Sequence, residues 1–433
     1  MIDMKTELTK LLYIFLMTLA AVGCGTDVDL CYEGNHPHRG QIQCFYHWGD
    51  QRPWPDSMYV LANRIIGQWK SSMVVGTNTV PSTGFYLNTD FERTSFSDKD
   101  FLQLLDSLGI GDQYLIEYAG YDFSTDKFAI RNGEYKFLTF SMDTTELIYN
   151  NVREYMMAPA SERRVLQDLT VEYKTYNKDH NKGELRSLIA GWTDYNPYAD
   201  YIQPEMLPVF FDTTQVVSIG TNQLVPLHFN PQPLTQNIDI YFNIKKDMRA
   251  TPFVIDSVRA EVSGIPRSVN LSNGYLDIEH TVKMMFRMSM CSPFNLSATP
   301  PYETPRLTDN LQNTQIGCHA NIDVTSVVRN ISSEVYTGPG IIQIMVWTHA
   351  IDPETGLVNR KKMQGKINIY NTLERSKLLK PTPDGSHMVR SQSHGNIVIH
   401  ANVEIDGSKI LRGSDNTGGL DNWVPCDDII VDI

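Results

Sequence analysis

Residues 237–245 read NIDIYFNIK. Ile238, Ile240, Phe242 and Ile244 alternate with Asp239, Tyr241, Asn243 and Lys245. Successive side chains of an extended chain point to opposite faces, so this spacing describes a strand with one apolar and one wet face. The same period returns over 282–290, where Val282, Met284, Phe286, Met288 and Met290 alternate with Lys283, Met285, Arg287 and Ser289. It returns over 397–405, with Ile397, Ile399, Ala401, Val403 and Ile405 against Val398, His400, Asn402 and Glu404. Near the other end, Ile42, Cys44, Tyr46 and Trp48 alternate with Gln41, Gln43, Phe45 and His47. Half-buried strands of this kind belong to antiparallel sheets, and many of them without long amphipathic helices give a sandwich, not a βαβ array.

Further strands are expected at 57–66, 68–75, 222–229, 254–262, 340–347, 366–370 and 423–433. Residues 128–131 and 135–140 flank Asn132-Gly133, a strong hairpin dipeptide. A short helix is expected over 100–108, stopped by Gly109. Residues 145–165 fit helix or strand equally, and 195–210 read as irregular, so 145–205 is where the pattern says least.

At the N-terminus, residues 11–22 are almost wholly apolar and follow Lys5 and Lys10. Twelve residues is the length of a signal-peptide core, whereas a membrane-spanning helix needs roughly 20. Ala21 and Gly23 lead into Cys24, which resembles the lipobox of bacterial lipoproteins, with Ala21 standing where Leu is usual. Such proteins are cut just before the cysteine and acylated on it. An ordinary secretory signal cut near Gly25 and a retained membrane helix are the competing readings. The expected organisation is a lipoprotein signal peptide at 1–23, a lipidated tether at 24–39, an N-terminal sandwich at 40–212 and a C-terminal sandwich at 213–433.

The chain is 41% hydrophobic and 20% charged, with a net charge of -13. That balance describes a globular body and argues against nucleic acid or anionic lipid as an electrostatic partner. Besides Cys24 there are Cys31, Cys44, Cys291, Cys318 and Cys426, an odd number, so at least one has no partner within the chain. Cys31 with Cys44 and Cys291 with Cys318 are the pairings open to an exported protein, and spacing does not decide them. No CxxC, GxSxG, HExxH, P-loop or GxGxxG occurs, so neither catalysis nor a cofactor is expected. His36 and His38 form a lone HxH, and Asp415, Asp421, Asp427 and Asp428 lie close together near the end; a solvated surface explains both better than a metal. His394 and His400 read as a solvated strand face. Trp54, Trp69, Tyr195, Tyr198 and Tyr201 suit core packing better than a sugar-stacking platform.

Taken in order, DLCYEGNHPHRG (29–40), GIGDQYLIEYAGYD (109–122), the long stretch 216–244, VIDSVRAEVSGIPRSVNLSNG (254–274) and GGLDNW (418–423) resemble the fimbrillin-like lipoproteins of Bacteroidales. The nearest likeness is to the fimbrial anchor or minor-subunit family and a related uncharacterised one. The resemblance implies two tandem transthyretin-like β-sandwiches, no enzymatic activity, and attachment of fimbriae to the outer membrane. It implies Cys24 as the lipid site and fimbrial subunits as partners, joined by strand addition. The acidic run after Cys24 (Asp27, Asp29, Glu33) resembles a surface-export signal, so display outside the outer membrane is expected over a periplasmic position. The alternative function is a surface glycan-binding lipoprotein of a polysaccharide-uptake system. Ser57, Ser107, Thr144, Thr213 and Ser257 each follow Asp in a pattern resembling the Bacteroides O-glycan acceptor.

Overall fold

The computed structural model describes residues 39–48, 55, 57–66, 69–79, 121–122, 127–131, 133–141, 144–151, 169–177, 180, 182–190, 199–204, 209–247, 252–304, 315–407, 410–411 and 423–425. The expected 100–108 helix lies outside the described residues. Strands dominate what is described, and its two helices, Gly183–Ile189 and Tyr370–Ser376, are seven residues each. The protein is all-β, as the alternation predicts.

The first part of the chain builds two facing sheets. In one, strand Arg39–Tyr46 lies between Leu224–Phe229 and Lys127–Arg131. In the other, Gly133–Phe140 lies between Ser57–Ile66 and Phe210–Thr213, and Ser57–Ile66 continues to Trp69–Thr79. Ile42, Cys44, Val225, Leu227 and Phe229 of the first sheet meet Val60, Tyr135, Phe137 and Ile219 of the second in one core cluster.

The hairpin expected across Asn132-Gly133 does not form. Lys127–Arg131 and Gly133–Phe140 belong to different sheets, so the chain turns a corner between layers there. The side chains explain why. Tyr135 and Phe137 pack against the opposite layer's Ile42 and Cys44, and a hairpin would put both flanking strands in the same wall.

The division expected at 212/213 falls inside a strand, Phe210–Thr213, that shares its pairing partner with the next strand. Phe210–Thr213 and Val217–Ile219 both run antiparallel to Gly133–Phe140. Leu224–Phe229 then pairs with Arg39–Tyr46. Strands Phe210–Thr213, Val217–Ile219, Leu224–Phe229 and Gln232–Pro233 are therefore hydrogen-bonded to the first sheets.

An eleven-stranded sheet forms most of the rest, beside three small sheets among the described residues. Gln236–Lys246, the strand of the opening motif, pairs antiparallel with Gln315–Val324 over ten residues. Val254–Pro266 lies between Thr281–Cys291 and Ile341–Ile351, and Ile341–Ile351 pairs with Val358–Asn368. Thr281–Cys291 joins the two groups, because its last residues, Ser289 to Cys291, also pair with Gln315–Val324. The sheet thus folds over its own core. Ile238, Ile240, Phe242 and Ile244 are fully buried against Val258, Ala260, Val262, Met284, Phe286, Ile342 and Ile344. Leu61, Leu138 and Phe140 belong to this same cluster, so the sheet containing Gly133–Phe140 is covered on both faces.

Among the described residues antiparallel pairing prevails, with four parallel exceptions: Arg39–Tyr46 with Leu224–Phe229, Tyr201–Ile202 with Thr281–Cys291, and His394–Val398 and Val403–Ile405 with Gln236–Lys246. The last two correct the single strand expected over 397–405. The inward phase survives, with Ile397, Ile399, Ala401, Val403 and Ile405 all buried, but the ladder breaks between them. The Ile399 N–H bond to the Tyr241 carbonyl, at 2.9 Å, lies in the gap.

Part of the ambiguous 145–205 region crosses to the second core. Thr170–Tyr173 pairs with Ser268–Asn270. Helix Gly183–Ile189 lays Leu185 and Leu188 on Met285 and Met345, on the outer face of the large sheet. Arg259 holds its C-terminal end by donating to the carbonyls of Ser187, Leu188 and Ala190 at 3.2, 2.9 and 3.0 Å. These are the unsatisfied carbonyls of a helix end, where a cation is favoured. The Arg259 guanidinium in turn lies over the Trp347 ring, 4.3 Å from its centroid.

No disulfide joins the described cysteines. Cys44 and Cys318 are buried free thiols, which excludes Cys31–Cys44 and Cys291–Cys318 as bonds in this structure. Burial pushes both thiols well above their ordinary range, so the reactive thiolate is scarce at neutral pH. Maleimide is expected to leave Cys44 and Cys318 unmodified in the native protein and to label both in denaturant. Rapid native labelling in a peptide map would contradict the packing described here.

Candidate functional site

The element best placed to transmit a membrane attachment is the first strand after the expected tether. Arg39–Tyr46 is an interior strand, hydrogen-bonded on both sides. Its register with Leu224–Phe229 is unbroken from Gln41↔Leu224 to Tyr46↔Phe229. The Gln41 N–H to Gln223 carbonyl bond (2.7 Å) and the His47 N–H to Phe229 carbonyl bond (2.8 Å) close its two ends.

Side chains fix it in the same position. Ile42 and Cys44 are each 1% exposed. The Tyr46 and Thr139 hydroxyls are 2.9 Å apart, linking the two facing sheets. The Tyr46 ring stacks on Phe229 and Trp48, with centroids 5.3 and 5.8 Å away, and Trp48 meets Phe210 edge-on. Burial, aided by the neighbouring Cys44, keeps the Tyr46 phenol protonated far above its ordinary range. Gly40 is required by contact: a Cβ there would stand 2.3 Å from Ile219 Cγ2 and 2.7 Å from the Gly220 carbonyl oxygen.

Cys24, the one site residue expected from the sequence, lies outside the described residues, as do His36, His38, Asp415, Asp421, Asp427 and Asp428. Of the expected terminal strand, Trp423–Pro425 is present and pairs antiparallel with Val358–Asn368 as a closing strand; 426–433 lie outside the described residues. Of the aromatic platform, Trp54, Tyr195 and Tyr198 lie outside the described residues. Tyr201 is in the core, fully buried and donating to Glu261 at 2.8 Å. Thr144 of the acceptor pattern is exposed in a turn, whereas Thr213 and Ser257 sit half-buried in strands and Ser107 lies outside the described residues.

Two polar clusters had no clear sequence signal, because their members come from distant strands. His47 Nε2 and His228 Nδ1 are 3.0 Å apart on the outer face of the first sheet. On the large sheet, Asp239 accepts from His319 (2.8 Å) and Asn321 (2.9 Å) and lies 3.3 Å from His394 Nε2, while His319 stacks on Tyr241. Here the expected solvated face of His394 is what the structure shows, in a network whose members satisfy one another. Among the described residues no group of three or more side chains is arranged to hold a metal.

These features define the class: an all-β, multi-sheet protein whose N-terminal strand is built into a core. No family model and no curated protein matches the chain. Solved structures align over most of its length. One is a candidate adhesin from Bacteroides thetaiotaomicron VPI-5482, at 10% identity, covering 86% of this chain and 93% of that one, with a TM-score of 0.39. Another is a candidate polysaccharide-binding protein from the same organism, at 9% identity, 87% and 95% coverage, and a TM-score of 0.36. A third is the fimbrial anchor protein Mfa2 from Porphyromonas gingivalis, at 8% identity, 88% and 98% coverage, and a TM-score of 0.36.

Proposed function

We propose that this chain is a non-enzymatic lipoprotein of fimbrial-anchor type, acylated on Cys24 and displayed at the cell surface. The observation that supports this best is the position of Arg39–Tyr46. The expected 24–39 tether would lead from the lipid into a strand held on both sides by backbone ladders. Several acyl chains on one cysteine make release slow, since each buried methylene contributes about 0.8 kcal/mol. Strand addition from a fimbrial subunit supplies the other attachment, with backbone hydrogen bonds for affinity and alternating pockets for specificity. The N-terminal segment stays uncut in this reading, because a cut after the tether would separate the protein from its own anchor.

Cells carrying the wild type or Cys24→Ala provide the test. The wild type is expected to co-purify with fimbrial subunits from the membrane fraction, and Cys24→Ala is expected to release fibres into the medium. Fibres that stay on Cys24→Ala cells, or mature wild type recovered without its lipidated N-terminus, would reject the reading.

A further inference from the structure

A cavity of about 230 Å³ opens where the first sheets meet the second core. Phe211, Gln232 and Pro233 line it from one side, and Asn273, Gly274 and Arg390 from the other. The chain as a whole is acidic, with a net charge of -13, yet this cavity holds a cation without a counter-ion among the described residues. Arg390 Nη1 donates to the backbone carbonyls of Pro233 and, at 2.9 Å, Thr235. Both of its hydrogens are thereby used. No carboxylate among the described residues pairs with Arg390, and its Nε and Nη2 have no partner there. Burial lowers its pKa to about 10, so it stays charged at neutral pH.

The rest of the lining is suited to hydroxyls. Asn273 uses its side-chain oxygen on the Tyr275 N–H (2.9 Å), leaving its amide hydrogens available. Gln392 and Ser393 are held by their backbone carbonyls, which accept from Gln236 Nε2 (2.6 Å) and the Asn237 N–H (2.9 Å). Their exposed side chains have no partner among the described residues. Phe211 supplies an apolar wall, with the Arg390 guanidinium 5.7 Å from its centroid. Gly274, at φ +72°, leaves that ring uncovered, since a Cβ there would press to 3.3 Å from Phe211 Cζ.

We propose that this cavity binds a uronic-acid residue: its carboxylate on the free Nε–Nη2 edge of Arg390, its ring against Phe211, and its hydroxyls on Asn273, Gln392 and Ser393. A planar guanidinium edge with two parallel N–H donors matches a carboxylate's two oxygens. One cation answers one negative charge, and the amide and hydroxyl lining answers several hydroxyls, which an acidic peptide side chain lacks. The volume lies below the roughly 300–1,000 Å³ of pockets for larger ligands, so it suits one sugar ring. This inference is independent of the anchor reading.

Titration calorimetry of the full chain with sodium glucuronate tests it, with glucose, acetate and an acidic tetrapeptide as comparisons. Saturable one-to-one binding of glucuronate is expected, with the three comparisons at least about tenfold weaker. Arg390→Gln is expected to weaken binding by roughly 10- to 100-fold, the range for a hydrogen-bonded charged group. Arg390→Lys is not expected to restore it, because the fork is lost. Arg390 also clamps two carbonyls, so Ser393→Trp provides a variant that fills the mouth and leaves the clamp in place. It is expected to abolish binding at an unchanged melting temperature. Absent binding to the wild type, a comparison compound bound as tightly as glucuronate, or full affinity in folded Ser393→Trp would each overturn the proposal.

Discussion

Gly264→Ala is expected to destabilise the protein by about 2–6 kcal/mol, combining roughly 1–3 for a non-glycine residue at positive φ with roughly 1–3 for overpacking. Gly264 has φ +91°, at the irregularity in Val254–Pro266 where the pairing slips between Ser263 and Ile265. A Cβ there would stand 2.6 Å from the Gly340 nitrogen and 2.8 Å from the Val328 carbonyl oxygen. Both are backbone atoms, so no side chain can rotate away. The site also carries a dense set of bonds. The Gly264 carbonyl accepts from the Val328 N–H at 2.8 Å, and the Ser263 carbonyl accepts from the Gly340 N–H at 3.0 Å. Ser263 Oγ donates to the Gly338 carbonyl at 2.7 Å and accepts from the Ile341 N–H at 3.1 Å. Gly356→Ala is the control: its φ is +69°, but nothing stands within 4 Å, so only the strain remains. Urea midpoints at constant slope measure the difference. Equal losses at the two glycines would refute the steric account.

Lys283→Ala is expected to cost about 3–5 kcal/mol, the range for leaving a buried charge without its partner. Glu261 is 5% exposed in the middle of Val254–Pro266. Lys283 Nζ meets its Oε1 at 2.6 Å, and the Tyr201 hydroxyl donates to its Oε2 at 2.8 Å. Removing the lysine strands the carboxylate under the covering segment that includes Tyr201. The double variant Glu261→Gln/Lys283→Met is expected to recover most of the loss, since an uncharged pair has no such penalty. A single Lys283→Ala variant as stable as the wild type would show that water or another cation already reaches Glu261.

These two sites mark what could be read from the chain and what could not. The alternations at 237–245 and 282–290 locate their strands and most of the inward faces, because a one-residue slip would turn the apolar set outward, although Met290 is exposed and Met285 is buried under the helix. Ser263-Gly264-Ile265-Pro266 lies inside a strand, and the reason for its glycine is the close approach of Val328 and Gly340, which no local pattern announces. Region 145–205 was illegible for a related cause. Its helix has only Leu185 and Leu188 to bury, and Tyr201–Ile202 is a two-residue strand. Both depend on partners from afar, Arg259 and Glu261. The Asn132-Gly133 dipeptide misled for the opposite reason: its local preference is real, but the core on either side places the flanking strands in separate walls. The Arg390 cavity gathers residues more than a hundred positions apart, and only the fold assembles it.

The parallel ladder between Arg39–Tyr46 and Leu224–Phe229 also has a mechanical meaning. A force applied at residue 39 along the strand acts across its hydrogen bonds, not along them. Six residue pairs on one side and four on the other must then shear together, where a terminal hairpin would unzip one bond at a time. The partner strand continues within a few residues into Gln236–Lys246, at the heart of the second core. Tension entering through the first strand is thereby handed to a strand of the second core. The rate of forced unfolding, more than the equilibrium stability, is the property on which this arrangement acts.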